Sequence, residues 1–394
     1  MTAATEKTTH GRLLSLDILR GITIAGMILV NNPGSYNAIY APLHHAEWNG
    51  LTPTDLVFPF FMFIMGISMY FSLRKFQFKP SGHLLWKIVK RTVLIYAIGL
   101  AIAWFGDLCN GLASGDPSLP LLDRVARAAS GFGTLRLVGV MQRLAICYFF
   151  GSIVAITLRH KLIPWLIALL LVAYAVILLV GHGYDFAPEN VIYIFDSALL
   201  GEAHMYRWLS VGGVNMVFDP EGLLSTLPCI AHVLIGLLCG EAIMKTKDNG
   251  KRTNDLFITG TILTFAGLLL SYGLPINKNV WSPTFVLVTC GLAASLLGLL
   301  IWVIDIKGHR SWCRFFEVFG INPLFLYVMG SALGILFGTV SIAGTSIQGW
   351  LCGRLILPVV GDEYMASCLY AILFVLINWY IGYLLYKKKI YIKI

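Results

Sequence analysis

Stretches of about twenty apolar residues recur along this chain of 394 residues, and their length fixes the solvent that the fold must suit. Twenty helical residues at 1.5 Å of rise cross the roughly 30 Å hydrocarbon core of a bilayer. The spans run approximately Leu13–Val30, Thr54–Leu73, Trp86–Phe105, Leu135–Leu158, Leu162–Gly181, Gly222–Met244, Asn254–Tyr272, Pro283–Ile304, Phe315–Phe337 and Tyr364–Tyr386. A weaker stretch, Ile347–Val360, carries Gly, Arg354 and Pro358 and reads as a short re-entrant or surface helix. Hydrophobic residues make up 57% and charged residues 12%, with a mean hydropathy of +0.77. A soluble domain needs about a quarter of its residues charged to cover its surface, so that class is excluded. The predicted fold is an all-α polytopic membrane protein of about ten transmembrane helices.

The formal charge of +9 invites a nucleic-acid partner, but the basic residues sit in short clusters between apolar spans. No nucleic acid is expected; the pattern orients a chain in a lipid bilayer. Twenty-one Lys and Arg lie in one set of connections: Lys7 and Arg12, then within 74–91, 159–161, 245–252, 307–314 and 387–393. The other set holds five: Arg124, Arg127, Arg207, Lys278 and Arg354. The first set is expected to face the cytoplasm with both termini, which requires an even number of spans. Residues 1–11 read as a short polar cytoplasmic N-terminus ahead of a single transmembrane domain, 12–394. No cleavable signal pattern is present, because Asn31-Asn32-Pro33 follows the first span, and that span is expected to be retained. The eight cysteines are scattered singly, as at Cys147, Cys239 and Cys290, without disulfide or metal-ligand spacing. They read as buried thiols, and no metal is expected. The long connections Asn31–Pro53, Gly106–Thr134 and His182–Glu221 lie opposite the basic face, and chemistry is expected there.

Ionisable groups at membrane depth are costly and point to function. Asp17 and Arg20 share a helix face at i, i+3, either as a snorkelling anchor or as an arginine aimed at a cytosolic anion. Asn31 lies about 16 Å further along the same helix. The run from His44 to Asp55 then holds His45, Glu47, Trp48 and Asn49. A histidine here suits a general base, although an outer-loop histidine taken alone is more often a solvated polar residue. Asp55 opens the second span, where a charge also complements the helix dipole. Gln142 and Arg143 sit two turns into the fourth span, and Arg143 needs either an anionic ligand or a partner such as Asp17, Asp55 or Asp107. Asn190, Asp196, His204, Tyr206, Asp219 and Glu221 form a polar set in the third outer connection, and Asn277-Lys278-Asn279-Val280-Trp281 a smaller one. With the aromatics these could grip a sugar or pack the loops.

At these residues the chain resembles the heparan-α-glucosaminide N-acetyltransferase family and its bacterial relatives. Six segments match in order: Arg12–Gly21; His45–Thr52 with Asp55–Pro59; Gly139–Arg143; Asp219–Leu224; Asn277–Pro283; and Gly320–Leu324. The resemblance implies transfer of acetyl from cytosolic acetyl-CoA to the amine of a glucosamine-type sugar on the extracytoplasmic side. His45 matches the family's active-site histidine and Asn31 its assisting asparagine; Asp55 would orient His45. Arg20, with Asp17, Gln142, Arg143 and Asn322, is assigned to acetyl-CoA. Glu47, Trp48, Asn49, His204, Tyr206, Asp219, Glu221 and Lys278 are assigned to the sugar. A homodimer in a bacterial cytoplasmic (inner) membrane is what the family suggests. The chain departs from the family in Asn-Pro-Gly after Asn31, in a second histidine, His44, and in an expected lack of the animal enzyme's N-terminal extracytoplasmic domain and leading helix. Two other classes compete: an amino-sugar transporter, for which no internal repeat or paired broken helices are found, and an O-acyltransferase acting on a polysaccharide.

Overall fold

The computed structural model describes residues 13–116 and 118–392; the polar segment 1–11, Arg12 and Lys393 lie outside them. The first half runs α1 (Leu14–Asn31), α2 (Val57–Leu73), α3 (Gly82–Ser114), α4 (Leu121–Ala129), α5 (Val140–Thr157), α6 (Ile163–Val180) and α7 (Val191–Leu200). The second runs α8 (Thr226–Lys245), α9 (Asn249–Leu270), α10 (Pro283–Leu300), α11 (Cys313–Ile321), α12 (Pro323–Thr339), α13 (Ile347–Trp350), α14 (Leu357–Val360) and α15 (Glu363–Lys387). Two small antiparallel ribbons complete it: β1 (Leu209–Val211) with β2 (Val214–Met216), and β3 (Ser341–Ile342) with β4 (Thr345–Ser346). Among the described residues nine helices are long and apolar enough to cross a membrane, or ten if one bent pair counts as a single span. The chain is an all-α polytopic membrane protein.

Helices α1, α2, α5, α8 and α10 form the buried centre, while α3, α6, α9 and α15 leave most of their apolar windows only partly covered or exposed. That division suits lipid, where a peripheral helix can stay apolar all round. The centre is tight because glycines let backbones meet. A Cβ on Gly66 of α2 would lie 2.1 Å from the Val233 carbonyl oxygen of α8, and one on Gly236 would lie 2.2 Å from that of Phe63. Caps follow the sequence: the side chains of Ser81, Asp248, Ser282 and Asp362 each accept a backbone N–H at a helix start.

Three expectations change. The span Phe315–Phe337 is broken: α11 and α12 meet at 87° across Asn322-Pro323, because the proline disfavours helical backbone at the residue before it. The third span is longer than expected, 33 residues. The fourth helix begins at Val140, and residues 135–139 are extended, so Arg143 lies in its first turn and not two turns in. The stretch Ile347–Val360 is helical throughout, α13 and α14 flanking a π-helical turn at Leu351–Ile356.

Candidate functional site

The six sequence motifs collect into two assemblies at opposite ends of α1. At the end where α1 begins, Arg20 donates to Asp17 Oδ1 at 2.9 Å, to Ser68 Oγ of α2 at 2.9 Å and to the Gly320 carbonyl at 3.4 Å. Asn322, at the helix break, is 2% exposed. Its amide donates to the Ile390 carbonyl and accepts the Ile392 N–H, both at 2.9 Å, so it straps the C-terminal segment down. Ile392, Pro323 and Leu324 then help wall a cavity of about 590 Å³ that Arg20, Lys87 and Arg91 also line. Arg91 lies over the Tyr148 ring at 4.8 Å, and its buried Nε has no hydrogen-bond partner.

The other four motifs meet where α1 ends. Asp55 is buried at 1% exposure and closes a capping box with Thr52. Its Oδ2 accepts the backbone N–H groups of Ala46 and Thr52 at 3.1 and 3.0 Å, while Oδ1 lies 2.6 Å from His45 Nδ1. Since a carboxylate only accepts, Nδ1 carries a proton, and Nε2 is the nitrogen that presents the lone pair in the neutral ring. Lys278 Nζ stands 3.1 Å from Nε2, 2.9 Å from Nδ1 and 3.7 Å from Asp55 Oδ1. An amine this near to both ring nitrogens lies over the face of the imidazole, off the in-plane axis of either nitrogen. Burial pushes the Lys278 ammonium below the usual lysine range, and Asp55 and Glu221 pull it partly back. The same two segments are sewn together by Asn277 donating to Asn49 Oδ1 at 3.1 Å and by the Gly50 N–H on the Ile276 carbonyl at 2.7 Å.

Beneath them Arg136 holds Asp219 at 2.5 Å and Glu221 at 2.6 Å and lies 4.9 Å over the Tyr206 ring. Burial opposes the Arg136 charge, but the two carboxylates more than restore it. Glu221, despite burial, is held below the usual carboxylate range by Arg136, then by Arg143 and Lys278. Arg143 does not pair with Asp17, Asp55 or Asp107. It is 1% exposed, donates to the Gly222 carbonyl at 2.9 Å and to Ser225 Oγ, and lies 5.3 Å over Trp281.

The remaining sequence candidates are spent on holding loops. Trp48 donates to the Tyr184 carbonyl at 2.7 Å and packs between Phe186 and Phe218. Glu47 accepts the Gly212 N–H of the β1–β2 turn at 2.5 Å. His204 donates to the Leu135 carbonyl at 2.8 Å. Asn190 caps α7. Gln142 is buried against Gly99, packing α5 on α3.

A second cavity of about 380 Å³ opens at the far end of α1, and Asn31 lines it. Tyr36, Asn110, Tyr327, Ser331 and Gln348 add amides and hydroxyls, and no lining residue is charged. Gly330, Gly334 and Gly338 of α12, spaced by four, leave the room. Apart from Asn31, none of these residues is singled out by the sequence reading; they lie outside its motifs, and only the fold gathers them. His45 is not among the lining residues: it sits 46% exposed on the capping loop, so the structure does not bring Asn31 and His45 into one wall. Among the described residues, no group of three His, Cys, Asp or Glu could hold a metal ion.

A family model described as Domain of unknown function (DUF5009) matches residues 12–112. The chain is 29% identical over 372 residues to the heparan-alpha-glucosaminide N-acetyltransferase of Homo sapiens, covering 80% of this chain and 52% of that protein. It is 28% identical over 375 residues to the Mus musculus protein of the same name, covering 82% and 54%. The chain therefore spans about half the length of the curated relatives it matches, and the resemblance carried by the six motifs is supported across most of its own length.

Proposed function

Taking its likeness to the heparan-α-glucosaminide N-acetyltransferases as premise, we propose that the chain is a membrane-embedded N-acetyltransferase moving acetyl from acetyl-CoA to a glucosamine-type amine. The observation that carries the reading is the pair of unlike cavities strung along α1 and α12. The cationic one, with Arg20, Lys87 and Arg91, suits the phosphates of a nucleotide, because guanidinium groups bind them in forked, charge-assisted contacts. Its basic end faces the cytoplasm on this reading. The neutral one, with amides and hydroxyls, suits a sugar. Both cavities are lined by α1 and α12, so the pantetheine arm runs from one to the other.

Asn31 then donates to the thioester oxygen as it gains charge, a contact worth about 3 kcal/mol in such sites. His45, its tautomer fixed by Asp55, removes the proton that the amine must lose. The thioester and the amine meet between Asn31 and His45, so a closure that carries the joined 45–50 and 276–278 segments together over the outer cavity is part of the proposal.

The test uses purified protein in nanodiscs with acetyl-CoA and glucosamine, following free thiol and N-acetylglucosamine together, with His45→Ala in parallel. Equal thiol and product, lost in the variant, is the expected result. Activity that survives in His45→Ala removes His45 from the mechanism and turns attention to His44. Acetyl-CoA binding without glucosamine turnover, but with acetyl transferred to a hydroxyl sugar as the thiol is released, makes the chain an O-acyltransferase. Absence of acetyl-CoA binding rejects the reading in favour of sugar transport.

A further inference from the structure

Lys278 presents a primary amine to the base that the proposed reaction uses for a primary amine. Its Nζ lies 2.9 Å from His45 Nδ1 and 3.1 Å from Nε2, over the face of the ring and one swing of a flexible side chain from the Nε2 lone pair, and its side chain is 15% exposed, against 71% for Lys245 at the basic end of α8. Gly50 on Ile276 and Asn49 on Asn277 fasten the two loops that carry the pair, so the approach is built into the fold.

We infer that Lys278 is itself an acceptor: in the absence of sugar, acetyl-CoA acetylates its ε-amine, and the enzyme closes its own site. The inference rests on the acetyl-CoA reading given above. A neutral Lys278 Nζ attacks the thioester carbonyl carbon; the N–C bond forms, the C–S bond breaks, and the electron pair leaves on the CoA sulfur. His45 Nε2 takes the proton from nitrogen and passes it to the thiolate, leaving N-acetyl-lysine and CoA thiol. Because the lysine is tethered beside the base, it competes as an intramolecular nucleophile, which raises its effective concentration far above that of a free amine. The neutral amide no longer compensates Asp55 and Glu221, and it covers the imidazole, so the modified chain does not turn over.

Incubation of the full-length protein in nanodiscs with acetyl-CoA alone, followed by peptide mass spectrometry, tests this. One acetyl group per chain, mapped to Lys278 and accumulating as activity falls, is expected. Lys278→Arg removes that label, His45→Gln slows it by about 10²-fold or more, and glucosamine present from the start suppresses it. Acetyl spread over surface lysines and indifferent to His45→Gln is ordinary chemical acetylation and overturns the inference. So does an unmodified Lys278 in protein that acetylates glucosamine, and that outcome leaves the proposed function standing. Failure to bind acetyl-CoA at all removes both.

Discussion

A buried carboxylate with four donors around it does two jobs at Asp55, ending a loop and fixing a ring. Asp55→Asn keeps an oxygen for the Ala46 and Thr52 N–H groups but turns an NH₂ toward His45 Nδ1, which forces the ring proton onto Nε2. Turnover should fall about 10²- to 10⁴-fold while acetyl-CoA affinity is kept, a split that kinetics with a parallel binding titration would read. Asp196 supplies a pH-dependent case. Burial raises its pKa from 3.8 to about 6, and its Oδ2 has no hydrogen-bond partner. The folded state thus prefers the neutral acid: that stability is full below pH 3.8 and is lost as pH rises through about 6. Relative to wild type, the melting temperature of Asp196→Asn should climb between about pH 4 and pH 7 and then level off; a flat difference would reject the assignment. Residues in motifs, such as His45, Asp55 and Arg20, stand out in the sequence as candidates, and the structure gives each a partnered position. Tyr36, Asn110 and Gln348 do not stand out, since nothing in an isolated polar residue says which cavity a fold will turn it toward.

Among the elements, apolar length alone marked the spans, and two glycines decide how closely two of them lie. Gly66→Ala, with its methyl aimed at the Val233 carbonyl, should cost about 1–3 kcal/mol of overpacking, read as a lower melting temperature and yield. Gly82→Ala, where a Cβ meets nothing within 4 Å, serves as the neutral comparison. The break between α11 and α12 escaped the hydropathy reading because apolar residues continue through it. Asn322-Pro323 was the available signal, an X-Pro step inside an apolar run. The break also explains why Asn322, assigned to acetyl-CoA from its motif, has its amide engaged by Ile390 and Ile392. Its contribution on the proposed reading is to hold a cavity wall. Asn322→Ala should therefore raise the KM for acetyl-CoA several-fold and leave the KM for the sugar unchanged.

On the scale of the molecule, six motifs scattered over 300 residues reduce to two clusters, and chain order concealed that sorting. Arg20 meets Gly320, and His45 meets Lys278; no spacing rule joins residues so far apart in sequence. One rod, α1, carries Arg20 at the cationic cavity and Asn31 at the neutral one, about 16 Å apart by helical rise. On the proposed reading, a rod of fixed length with the donor's grip at one end and the reacting centre at the other is a gauge for whatever is laid along it. Donors would be sorted by reach as well as by charge. An acetyl thioester of phosphopantetheine, long enough but without its nucleotide, should react at a near-normal kcat with KM raised about 10- to 100-fold for the lost charged contacts. A thioester cut to half the arm would meet neither end at once, and saturating it should recover little of the rate.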